Sequence, residues 1–120
     1  MPARVVLVHD DPVFVEGALA ALRNAGHDDV ATFPDSMTAL GALEAAKRIE
    51  LLITRVRFPP GQPHGVSLGL MARQKRPGLK VLLLSRPETE EFTKGVGEVL
   101  VAPVTSEDVV ARVKAMLGDE

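Results

Sequence analysis

No cysteine, tryptophan or tyrosine occurs in the 120-residue chain. Without cysteine there are no disulfides, thiol nucleophiles or thiolate metal sites. Four phenylalanines are the only aromatic residues, against 46% hydrophobic residues overall. The core therefore has to be aliphatic, built from Val, Leu, Ala and Ile. No apolar run approaches the ~20 residues that span a bilayer. No secretory leader is expected either, because Arg4 is followed at once by a short apolar run that ends in acids. A cytoplasmic location, away from membranes, is the expectation. Net charge is only −2, which leaves no footprint for nucleic acid. The basic cluster Arg73, Lys75, Arg76 and Lys80 reads as a solvated helix end. The acidic run Glu88, Glu90 and Glu91 reads as a polar face or the first turn of a helix. Linkers, low-complexity tracts and internal repeats are missing too. One domain over residues 1–120 is expected, large enough to bury a core without staples.

Short aliphatic runs alternate with helical patterns along the chain. The runs are Val5-Val6-Leu7-Val8, the weaker Val30-Ala31-Thr32-Phe33, Leu51-Leu52-Ile53-Thr54, Val81-Leu82-Leu83-Leu84 and Val99-Leu100-Val101. Near-continuous apolar runs of this length suit strands buried on both faces of a parallel sheet. Asp11-Pro12 reads as a helix cap followed by proline at the first helical position. Phe14, Ala18, Ala21, Leu22 and Ala25 then repeat at helical spacing, and Gly26 stops the helix. Asp35 or Ser36 caps a second helix with Ala39, Leu43 and Ala46 on one face. Leu68, Met71 and Ala72 mark a third, ended by Pro77-Gly78. Thr105-Ser106-Glu107-Asp108 has the form of a capping box. It opens a last helix with Val109, Val113, Met116 and Leu117 inward, closed by Gly118.

This alternation predicts an α/β fold with a doubly wound parallel sheet of five strands. Between the fourth and fifth strands only residues 86–97 are available. They can hold a helix of about two turns at most, or a loop with one turn, so the fourth helix is shortened or missing. Doubly wound sheets take their ligands at the carboxyl ends of the strands. The residues in question are His9, Asp10 and Asp11, then Arg55, Ser85, Ala102 and Pro103.

With these residues in place, the whole chain resembles the receiver domains of two-component response regulators. The family's motifs are an acidic pair after the first strand, an aspartate after the third, a Ser or Thr after the fourth, and Lys-Pro after the fifth. The resemblance implies a flavodoxin-like sheet order of 2-1-3-4-5. Anchored on Pro12, the acidic pair falls on His9 and Asp10, and Asp11 stands where the family often has an extra acid. Pro59 lies four residues past Arg55, which puts Arg55 at the phosphoacceptor position. Gly65 resembles the family's loop glycine, with two extra residues before it. Ser85 matches the hydroxyl position. Ala102 replaces the lysine, and Pro103 keeps the proline, whose bond is cis in the family. Val99 replaces the aromatic switch residue.

These departures remove chemistry. An aspartyl phosphate needs a carboxylate nucleophile, and Arg55 has none. Mg²⁺ needs hard oxygen ligands, typically carboxylates with substrate oxygens and water. At ~4 Å and an effective dielectric of ~20, two unit charges repel by ~4 kcal/mol, and a divalent ion doubles that. Mg²⁺ binding is therefore expected to be lost or weak, and no cofactor, metal site or enzymatic activity is expected. Arg55 is expected to reach Asp10, with Asp11 as a second candidate, and to stand in for both Mg²⁺ and Lys; a bidentate fork would suit a carboxylate there.

Plainer roles compete at several positions. Asp11 reads as a helix cap, Asp10 as the end of a solvated turn, Ser85 as a strand-end hydroxyl. Val99 reads as core packing, and Pro103 as fixing the turn into the last helix. His9, His27 and His64 share no metal-ligand spacing.

The resulting expectation is a pseudo-receiver: a binding module for a histidine kinase, another regulator, an output domain or a second copy of itself. By the resemblance, its contact surface is the face made by the fourth helix, fifth strand and fifth helix. Phe58 and Phe92 are the candidate anchors. Two rivals stand beside it. One is a phosphorylatable regulator with a nonstandard acceptor. The other is a nucleotide- or small-ligand-binding domain that uses Arg55 and Ser85, against which stands the absence of a glycine-rich phosphate loop after the first strand.

Overall fold

A computed structural model of the chain describes residues 4–45, 48–57 and 64–118. Strand β1 (Val5–Val8) leads through helix α1 (Pro12–Asn24) to β2 (Val30–Phe33). Helix α2 (Ser36–Ala45) precedes β3 (Leu51–Arg55), and α3 (Gly65–Lys75) precedes β4 (Lys80–Ser85). A 3₁₀ helix (Pro87–Thr93) then leads to β5 (Glu98–Val101) and α4 (Ser106–Leu117). The strands form one parallel sheet in the order β2-β1-β3-β4-β5. The expected order is present, and the shortened fourth helix is a 3₁₀ helix of seven residues.

Alternation along each strand sends side chains to opposite faces, and both faces are covered. Val6, Val8, Leu52, Val81 and Leu83 pack with Ala39 and Leu43 of α2 and with Leu68 and Ala72 of α3. Val5, Leu7, Leu51, Ile53 and Leu82 pack with Ala18 and Leu22 of α1 and with Val109, Val113 and Met116 of α4. This is why the strand runs are apolar without a polar stripe. The edge strand β2 is only partly buried, matching its weaker sequence. Ala25 is exposed and caps α1 rather than extending its inner face. Ala46 lies outside the described residues.

Local chemistry sets the ends. Asp11 accepts from the Val13 amide at 3.0 Å as the α1 cap, with Pro12 at the first helical position. Asp35, not Ser36, caps α2, accepting from the Thr38 amide at 2.8 Å. Thr105 and Asp108 form the reciprocal capping box of α4, and Gly118 ends it at φ 73°. Arg73, Lys75 and Lys80 of the basic cluster are exposed as expected, and three of its long side chains also satisfy backbone carbonyls. Arg73 donates to Val96 O at 2.8 Å, Arg76 donates twice to Leu43 O, and Lys80 donates to Met116 O. Arg76 thereby ties α3 to α2, and Lys80 ties β4 to α4. Among the described residues no helix is long and apolar enough to cross a membrane.

Candidate functional site at the strand ends

Register brings the candidate residues together. Val8 of β1 pairs with Thr54 of β3, and Arg55 pairs with Leu84 of β4. Ser85 pairs with Val101 of β5. The chain just past β1 therefore lies beside the last residue of β3, and the last residue of β4 lies beside the turn after β5. A cleft of about 250 Å³ opens there, with His9, Asp11, Arg55, Ser85, Arg86 and Ala102 in its lining.

Arg55 and Arg86 are the cations of this cleft, and Arg55 is the one that meets Asp10. Its Nη1 donates to Asp10 Oδ1. Their side chains keep 25% and 34% of their exposure, so water still reaches the pair. Burial pushes the Asp10 carboxyl upward. The hydrogen bond and charge of Arg55 outweigh that and hold it below the ordinary aspartate value. The expected fork is a single contact, and Asp11 takes no part in it. The Asp11 carboxylate is turned to the α1 amides, where it satisfies a donor the helix leaves open.

His9 is neutral. Its ring is pushed below its ordinary pKa, first by burial and then by the Arg55 charge, against the opposing pull of Asp10 and Asp11. Its Nδ1 accepts from the Asp11 amide at 3.1 Å, a bond that protonation of Nδ1 would break. The 3.9 Å approach of Nδ1 to Asp10 Oδ1 is therefore not an ion pair. The ring stacks on Phe14 with centroids 4.5 Å apart, so His9 behaves here as an aromatic packing group.

Ser85 is buried, and its hydroxyl is engaged locally. Its Oγ lies 2.8 Å from Arg86 O and 2.8 Å from Thr89 Oγ1. Thr89 also accepts from the Arg86 amide at 3.2 Å, closing the first turn of the 3₁₀ helix. Thr89 was not singled out in the sequence. The signal for it is the string Arg86-Pro87-Glu88-Thr89, a proline-led helix start with a hydroxyl three residues after the cap.

The remaining positions frame the cleft. Ala102 donates its amide to Ser85 O at 2.7 Å, and its bond to Pro103 is cis. Its methyl side chain supplies no charge. Val99 is partly buried against the core that faces α2 and α3. Gly65 begins α3 with its amide donating to Val56 O at 2.7 Å. A Cβ there would lie 1.8 Å from Arg55 O, so only glycine lets α3 start against the Arg55 backbone. Phe92 is exposed on the 3₁₀ helix; Phe58 lies outside the described residues. Arg57 and Arg86, also not anticipated, line a second cavity with Arg55. Among the described residues, no group of three or more His, Cys, Asp or Glu is placed to hold a metal ion.

No family model matches the sequence. Among curated proteins, the chain is 31% identical over 121 residues to the "Probable transcriptional regulatory protein TcrX" of Mycobacterium tuberculosis. The match takes in 97% of this chain and 50% of TcrX, so the chain spans about half the length of that relative. Among solved structures, a CheY-like response regulator receiver domain protein from Methanospirillum hungatei superimposes with a TM-score of 0.82 at 21% identity, over 99% of this chain and 96% of that one. A response regulator receiver protein from Sinorhizobium medicae gives 0.83 at 20% identity, over 98% and 96%. A receiver domain from Clostridium thermocellum gives 0.82 at 20% identity, over 97% and 94%. The order of the sheet, the two helical layers and these likenesses agree, and the chain has the fold of a response-regulator receiver domain.

Proposed function

We propose that the chain is a receiver-type module of two-component signalling that works through protein contact and accepts no phosphoryl group. The observation that carries this is the Arg55–Asp10 ion pair at the carboxyl end of the sheet. A guanidinium stands where phosphoryl transfer needs a nucleophilic carboxylate, and it cannot be deprotonated to serve. The donor set does not fit Mg²⁺. Asp10 already accepts from Arg55, Asp11 is committed to α1, and the Nδ1 of His9 accepts from a backbone amide. Ala102 offers no cation for phosphoryl oxygens, and the Ser85 hydroxyl is shared with Thr89 and Arg86 O. Asp10, Asp11, His9 and Ser85 each have a partner inside the domain. The site is held in one state rather than poised between two.

The partner in this reading is a histidine kinase, another regulator or an output domain, in the cytoplasm, with no nucleic acid or membrane engaged by this domain. Neither catalysis nor a cofactor is involved. The test is an amide NMR titration with Mg²⁺ and then beryllofluoride, which mimics an aspartyl phosphoryl group. Resonances at Asp10, Arg55 and Ser85 should not move. Saturable shifts that spread from Ser85 to Pro103 would identify a working phosphorylation switch and overturn the proposal.

A further inference from the structure

A second depression lies beside the strand-end cleft, between the start of α3 and the 3₁₀ helix. It encloses about 240 Å³ and is lined chiefly by Val56, Val66, Thr89 and Phe92, with Arg57 and His64. A smaller cavity adjoins it through Val56, Arg57 and Thr89, and adds Arg55 and Arg86. Phe92 is 55% exposed at this hollow, so much of its apolar area is still in water.

Residues three apart eclipse one another in a 3₁₀ helix. Thr89 and Phe92 therefore share the side that faces the hollow, and Glu88 and Glu91 share the next side. Arg57 lines the hollow together with Phe92, and Glu91 directly precedes Phe92 on the 3₁₀ helix. Glu91 and Arg57 are exposed. The ion pairs of this region are Arg55–Asp10 and Arg86–Glu88, and among the described residues neither Glu91 nor Arg57 takes part in one.

We infer that this groove is a self-association surface, on which a second copy of the chain docks about a two-fold axis. The Phe92 rings meet at the axis over the two apolar hollows, and Arg57 of each copy faces Glu91 of the other. The patch holds both halves of each contact: a hollow with a ring to fill it, and a cation and an anion on either side. A two-fold interface requires this self-complementarity, because residue i meets residue j and j meets i. An acidic peptide would use Arg57 but would meet Glu91 as a like charge; a second copy uses both. The face lies on the α3 side of the 3₁₀ helix, away from β5 and α4. One hollow and one exposed ring per copy make a small contact, so the dimer is weak and depends on concentration. The inference names a partner for the binding module, and it does not depend on phosphoryl chemistry.

Sedimentation velocity of the full chain from micromolar to millimolar concentration tests it. The wild type should shift from monomer to dimer, and Phe92→Ala should weaken association at least about tenfold. Arg57→Glu and Glu91→Arg should each weaken it too. An equal mixture of those two variants should associate again, because it restores both opposite-charge contacts. All three positions are exposed, and unchanged thermal unfolding of each variant verifies the fold. A chain that stays monomeric throughout overturns the inference. So does a dimer that these substitutions leave unchanged, or a mixture that fails to re-associate. None of these outcomes bears on phosphoryl acceptance, which the beryllofluoride titration reads separately.

Discussion

The guanidinium of Arg55, at the end of β3, donates to the carboxylate of Asp10, two residues past the end of β1. The two residues are 45 positions apart in the chain. They meet because β1 and β3 are parallel neighbours in a register that places Val8 against Thr54. The consequences of this contact can be measured.

Removing the cation should return Asp10 toward the ordinary aspartate range. In Arg55→Ala, burial still raises the carboxyl, and the two Arg55 contributions that lower it are gone. The Asp10 pKa, followed by its ¹³C carboxyl shift, should rise. A carboxyl whose folded pKa lies below its unfolded value adds stability above the unfolded value, and loses it as pH falls through the folded one. The wild type should therefore lose more stability than Arg55→Ala as pH drops below about 4. Because the pair is partly solvated, the difference at neutral pH should be under about 1 kcal/mol. An unmoved Asp10 titration would mean that the contact carries no charge interaction.

On the proposed function, placing a carboxylate at the β3 end should not by itself allow phosphorylation. Arg55→Asp still lacks a lysine at Ala102 and an acid at His9. Incubation with a small-molecule phosphodonor and Mg²⁺ should leave its intact mass unchanged. The triple change His9→Asp, Arg55→Asp and Ala102→Lys supplies the missing ligands and cation together, and it should show a Mg²⁺-dependent amide shift. Robust labelling of the single variant would show that a lone carboxylate suffices here.

His9 should make the fold sensitive to mild acid. Its folded pKa is below the ordinary 6.5, set by burial first, so the unfolded chain takes up the proton before the folded one. Its contribution is intact above the unfolded value and declines as pH falls through 6.5 toward the folded pKa. The denaturant midpoint should therefore be lower at about pH 5.5 than at about pH 7.5. His9→Phe keeps a ring against Phe14 but does not titrate, and it should shrink that difference. An equal drop in the variant would assign the effect to another group.

Gly65→Ala should be among the most damaging single-methyl additions in the chain. Its Cβ would sit 1.8 Å from the Arg55 carbonyl oxygen, which is backbone and cannot swing away. The start of α3 would have to shift, at a cost on the order of 3 kcal/mol. The midpoint in urea should fall while the slope of the transition stays the same. A near-neutral result would show that the α3 start moves freely against β3.

Much of the fold is legible because local signals and tertiary demands coincide. The runs at Val5-Val6-Leu7-Val8 and Val81-Leu82-Leu83-Leu84 are apolar throughout because both sheet faces are covered. Asp11-Pro12 and Thr105 to Asp108 mark helix starts because their side chains answer amides a few residues away. Residues 86–97 could be bounded in length but not in conformation. The 3₁₀ turn there rests on the Thr89 hydroxyl meeting both Ser85 and the Arg86 backbone. The basic residues of α3 and β4 look like a solvated patch in sequence. They serve as ties because Leu43 O, Val96 O and Met116 O come within their reach, which only packing brings about.

The sequence by itself determined the alternation of strands and helices, the caps, the aliphatic core, and the presence of an arginine at the end of β3 and an alanine after β5. These follow from side-chain type and spacing along a few turns of chain, which local sterics and hydrogen bonding read directly. Only the tertiary structure decided that Arg55 bonds Asp10 once and leaves Asp11 to its helix, and that His9 stacks on Phe14. It also decided that Phe92 stands largely in water beside the hollow lined by Val56, Val66 and Thr89. Those outcomes depend on register between strands and on which loops share one end of the sheet, separations that no local rule spans.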